Sequence, residues 1–135
     1  MTGPMAHQRH WRDAQHLEQH GRRDNADHLY GFAAECGLKA LMLAFGMQLE
    51  LGAPKDQADR VHADRIWTRY EAYRSGYAAA TQFQLSGKNP FASWQASDRY
   101  ARTGAVGVKR LRAHRAGADQ VVRLVNLGRQ KGLLR

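Results

Sequence analysis

The sequence predicts an all-α protein, a single-domain antiparallel bundle of four main helices spanning residues 1–135. Three observations carry that expectation. Apolar residues recur at three- and four-residue steps through each long segment, and no strand-like alternation of useful length interrupts them. The stretch from Asp24 to Leu51 is apolar or small almost all round, as a helix buried among other helices must be. Finally, 135 residues suffice for one domain with a real core. The lone cysteine, Cys36, rules out an internal disulfide, so apolar burial has to hold the fold.

The first helix is expected from about Ala6 to His20, with Trp11, Ala14 and Leu17 on one stripe and Gly21 as the stop. Four of the seven histidines lie here: His7, His10, His16 and His20. His16 and His20 are four apart, with Asp13 on the same side. A metal site needs three or four ligands and a supporting shell, and nothing downstream repeats the pattern, so these read as surface histidines and no metal is expected.

The central helix is expected from Asp24, as N-cap, to Leu51, with Gly52-Ala53-Pro54 ending it. Its polar exceptions are Glu35, Lys39, Gln48 and Glu50. Small residues at Ala26, Ala33, Gly37, Ala40 and Ala44 would let neighbouring helices approach closely. The third helix starts at Asp56 or Asp59. It carries an aromatic face of Ile66, Trp67, Tyr70, Tyr73 and Tyr77 through about Leu85, a stripe better suited to a core than to base stacking. Ser86-Gly87-Lys88-Asn89-Pro90 is a loop. Phe91 and Trp94 are expected to pin the following segment to the core. The last helix runs from Ala105 to Leu127 with Gly128 ending it, leaving residues 129–135 as a basic tail.

Charge is unevenly spread. Residues 1–98 carry 11 Lys+Arg and 11 Asp+Glu, whereas residues 99–135 carry 10 basic residues against Asp119 alone, so the net charge of +9 sits entirely in the last segment. Such a segment favours a polyanion, an acidic protein or an anionic surface. The N-terminus has no apolar run of signal-peptide type and the central stretch is broken by charges, so a cytoplasmic protein without a membrane span is expected.

The segment NADHLYGFAAECGLKALM, residues 25–42, with its Ala34-Glu35-Cys36 and Lys39-Ala40-Leu41 elements, resembles the second helix of HEPN domains, small all-α bundles common in prokaryotes. The resemblance extends by helix order from about residue 8 to 127. It implies association with RNA or nucleotides, homodimerisation and, in many members, metal-independent RNA cleavage by an Arg and a following His with four to six residues between them. Arg23-Asp24-Asn25-Ala26-Asp27-His28 has that spacing, as do Arg22 with His28 and Arg9 with His16. Active members carry the pair near the start of the last core helix, where this chain has Arg110 and His114 with only three residues between them.

The chemistry asked of Arg23 and His28 is plain: histidine moves a proton near neutral pH, and arginine stabilises a phosphorane. Glu35 and Lys39 follow His28 at helical steps and would support it. The structural alternative has Asp24 capping the helix and Glu35 with Lys39 as an ordinary pair. Three functions follow: a HEPN-like RNA- or nucleotide-binding protein using Lys109, Arg110, Arg112 and Arg115 on phosphates; a HEPN ribonuclease or toxin using Arg23 and His28; and a helical adaptor for an acidic protein or antitoxin. The first is preferred, with no cofactor.

Overall fold

In a computed structural model of the chain, described over residues 3–76, 78–95, 104 and 106–134, four α-helices and one short hairpin are present. They are α1 (Gly3–Gln19), α2 (Arg23–Ala44), β1 (Leu49–Glu50), β2 (Ala53–Pro54), α3 (Ala63–Arg74) and α4 (Val108–Gln130), with 3₁₀ turns at Gln57–Asp59 and Ala78–Phe83. The all-α expectation holds in this coarse form. No helix among the described residues is long and apolar enough to cross a membrane.

The chain reverses between α1 and α2 at Gly21 (φ +74°), where Arg22 N–H donates to Leu17 O at 2.8 Å. α2 then lies at the centre. Ala26, Tyr30, Ala33, Ala34, Leu38 and Leu41 are fully buried in a core that draws on α1, α3, α4 and the connections. The small residues act as expected: a β-carbon on Gly37 would stand 2.5 Å from Val121 Cγ1, so α4 crosses α2 where the glycine leaves room.

Several expected boundaries are corrected. α2 ends at Ala44, not Leu51, because Gly46 at φ +108° turns the chain and Met47 N–H donates back to Met42 O at 2.9 Å. This is the left-handed glycine ending of a helix, and the apolar residues beyond it serve other ends. Met47 is buried, while Leu49 and Leu51 enter an antiparallel hairpin with Leu49 opposite Pro54 and Glu50 opposite Ala53. Asp24 does not cap α2. Its carboxylate accepts from Gly104 N–H (2.6 Å) and Val106 N–H (3.1 Å), tying down the approach to α4. The third helix is split, with Asp56 capping the first 3₁₀ turn and α3 confined to Ala63–Arg74. Tyr77, the Asp98-Arg99-Tyr100 segment and Ala105 lie outside the described residues. Phe91 and Trp94 are both fully buried, as expected.

Gly128 does not end α4. It is buried where Leu41 and Leu134 close in, and a β-carbon there would stand 3.4 Å from Leu41 Cδ2. The helix stops at Gln130, Gly132 (φ +77°) makes the turn, and Leu133 and Leu134 N–H both donate to Gly128 O. The end of the expected basic tail therefore folds back onto the core.

The bundle is not antiparallel throughout. α1 runs against its neighbours, as Trp11 with Asp119 and Glu18 with both Tyr30 and Arg115 show. α2 and α4 run in the same sense: Asp27 meets His114, Gly37 meets Val121 and Val125, and Leu41 meets Gly128. α3 also follows α2, with Glu35 beside His62 and Phe45 beside Tyr70. The residues between α2 and α3 return the chain to mid-helix before α3 begins, so short-loop antiparallel geometry does not apply.

Candidate nucleic-acid interface and the Glu35 cluster

Two polar clusters are built around α2. In the first, Asp27 accepts a hydrogen bond from His114 Nδ1 at 2.6 Å, and both side chains are almost completely excluded from solvent. Phe91 stacks on the His114 ring with centroids 4.9 Å apart. Arg110, one turn before His114 on α4, stands 3.9 Å from Asp27 Oδ2 and donates to Ser93 O at 3.3 Å. Buried polar groups are stable only when partnered, and here each supplies the other's partner. Arg110 and His114 thus act together as a clamp between α2 and α4.

The second cluster surrounds Glu35. Glu35 is 8% exposed, and its carboxylate receives Lys39 Nζ at 3.3 Å and His62 Nδ1 at 2.9 Å. Nδ1 of the half-exposed imidazole donates to the carboxylate. This is the arrangement by which a carboxylate orients a histidine for proton transfer. Trp94 lies beside it, its ring 6.3 Å from that of His62 and stacked at 5.1 Å on that of His28. On the other side His10 approaches Phe32 at 5.9 Å. Burial lowers the His10 pKa, Arg9 lowers it further, and Asp13 and Glu35 pull the other way. Burial, then the Glu35 charge, pushes the Cys36 thiol up to about 11.

Arg23 and His28 are not arranged as a pair. Arg23 is exposed at the first turn of α2, whereas His28 is half-buried between Phe32 and Trp94. Five helical steps leave them roughly 140° apart around the axis. Glu35 and Lys39 do come together, but their histidine is His62.

The four basic residues of α4 also divide. Arg110 is held by Asp27 and Ser93, and Arg115 forms an ion pair with Glu18, whose other oxygen accepts from Tyr30 at 2.7 Å. Lys109 and Arg112 are exposed, and Arg123, not singled out from sequence, lies on the same face. Among the described residues none of these three makes an ion pair.

His62 carries no signal in the sequence, since it stands in an irregular connection 27 residues from Glu35. His114 does carry one. It falls on the stripe of Leu111, Ala118, Val121 and Val125, so its burial, and hence its need of a partner, was readable. Compared with known protein families, characterised proteins and solved structures, the chain matches none.

Proposed function

We propose that the chain is an RNA- or nucleotide-binding protein of HEPN-like type whose α4 contacts phosphates. One observation supports the reading above the others. Lys109, Arg112 and Arg123 project from one exposed face of α4, free of ion pairs among the described residues. They span roughly 21 Å of helix at 1.5 Å per residue, long enough to follow several phosphates of a strand. The internal engagement of Arg110 and Arg115 narrows the contact set to these three.

Binding of single-stranded RNA, followed by fluorescence anisotropy against salt, tests this. Affinity should fall steeply with salt, and the Lys109→Ala, Arg112→Ala and Arg123→Ala triple variant should reduce the log–log slope by about 2, at roughly 0.7 per phosphate contact. Arg115→Ala should leave the slope unchanged. Absent or salt-insensitive binding would overturn the proposal, and capture of an acidic protein in its place would indicate the adaptor.

A second reading, cleavage of the bound RNA without metal, is favoured by the Glu35–His62 pair, with Lys39 as the nearby cation. Activity in a chelator that is lost in His62→Ala and kept in Arg23→Ala would support it. Activity kept in His62→Ala excludes it.

A further inference from the structure

Three of the seven histidines stand exposed: His16, His20 and His62. The first two lie at the end of α1, where His20 Nδ1 is bonded to the His16 carbonyl at 2.8 Å. Among the described residues His62 is the one of the three bonded to a carboxylate, through Nδ1 to Glu35 Oε1 at 2.9 Å. Lys39 holds the other oxygen of the same buried group. The imidazole is therefore fixed at one nitrogen, while its side chain is 56% exposed. With Nδ1 donating, the neutral ring carries its free electron pair on Nε2. The buried carboxylate stabilises the positive charge the ring gains when Nε2 forms a bond, which is how an oriented histidine becomes a nucleophile.

The position of His62 in the fold indicates which electrophile suits it. It is the N-cap residue of α3, with extended backbone (ψ −175°) and no side-chain capping bond. The amino end of this twelve-residue helix carries partial positive charge and favours an anion. Asp64 and Arg65 in the same turn offset each other, and Lys39 adds a cation on the Glu35 side. A dianionic group on His62 gains from both, whereas a neutral acyl or alkyl group gains from neither. We infer that His62 is a phosphoryl acceptor, taking the group on Nε2 from a donor that carries it on nitrogen. Exchange of one phosphorus–nitrogen bond for another leaves little to be supplied by the protein. The Nε2 electron pair forms the new bond to phosphorus as the donor's bond breaks. The donor nitrogen, already protonated, leaves with that electron pair as a neutral amine, and the Nδ1 proton stays in the hydrogen bond to Glu35. This role is separate from RNA binding and does not depend on it, since an exposed acceptor needs only to be reached by its donor.

Incubation of the full chain with phosphoramidate, followed by peptide mass mapping and phosphorus NMR, tests the inference. The expected product is an acid-labile phosphoryl group on His62 Nε2, formed about tenfold faster than on His16 or His20. His62→Gln should remove the fast product and leave the slow labelling of the other two. Glu35→Gln should bring His62 down to their rate. Because Glu35 is buried, circular dichroism checks that this variant folds, and Lys39→Gln, at a partly exposed position, should slow His62 as well but by less. Labelling of His62 no faster than of His16 and His20 in the wild-type chain overturns the inference. So does the Nδ1 isomer, or a His62 rate unchanged in the folded variants.

Discussion

His10 is half-buried on α1 against Phe32, and burial together with Arg9 depresses its pKa below 6.5. The unfolded chain therefore takes up this proton more readily than the folded one. Stability from His10 is fully present above pH 6.5 and is lost as pH falls through the lowered folded value. Thermal melts followed by circular dichroism should show a smaller loss of Tm between pH 7.5 and 5 for His10→Gln than for the wild type; parallel curves would refute the assignment. Close by, Cys36 illustrates the same physics with the opposite sign. A thiol pushed to about 11 is about a hundredfold poorer in thiolate near neutral pH than one at the ordinary value of 9.0, so it serves as packing material and not as a nucleophile.

At the scale of elements, α2 decides what its neighbours can do. Its glycines are places of contact: Trp94 lies across Gly31, where a β-carbon would fall 2.1 Å from Nε1, and α4 crosses at Gly37. In Gly37→Ala the helix propensity gain is about 1 kcal/mol, but the added methyl meets Val121 Cγ1 at 2.5 Å in a close-packed interior. Overpacking of this kind costs about 1–3 kcal/mol, so the variant should be destabilised in urea titration, while the pair Gly37→Ala with Val121→Ala should recover part of the loss. An alanine at 37 that stabilises the protein would show that the crossing is looser than described. α3 is held by a different device. Asp59, fully buried, accepts from Arg69 Nε at 2.6 Å and from the Tyr73 hydroxyl, which fastens the irregular connection to the helix that follows.

Across the whole molecule, the Asp27–His114 bond joins residues 87 apart in sequence and holds α2 parallel to α4. Removing one partner strands the other in a site almost without water. Asp27→Ala should therefore cost about 2–3 kcal/mol, and His114→Ala a similar amount, with the double variant losing clearly less than the sum. Additive losses in a double-mutant cycle would mean that the two groups do not act as a unit. The same clamp keeps the start of α4 in place, and with it Lys109 and Arg112 on the face proposed to meet phosphates.

Local rules read the helical content, the buried character of the stretch from Asp24 as far as Met42 though not its expected continuation to Leu51, the anchoring of Phe91 and Trp94, and the concentration of basic charge in the last segment, because periodicity and composition act within a few residues. Helix ends were legible only where the local signal had no competitor. Gly21 stopped α1 as expected, but Gly46 ended α2 before Gly52 could, and Gly128 served a helix contact instead of a stop. What only the tertiary structure decided is which distant groups meet: Asp24 on the amides of Gly104 and Val106, His62 on Glu35, His114 on Asp27, and Arg110 and Arg115 turned to internal carboxylates. For the buried groups among these, Asp27, His114 and Glu35, the partner is chosen by burial, since a polar group removed from water must bond to whatever the fold brings beside it, and every one of these neighbours is set by the path of the chain across the whole molecule.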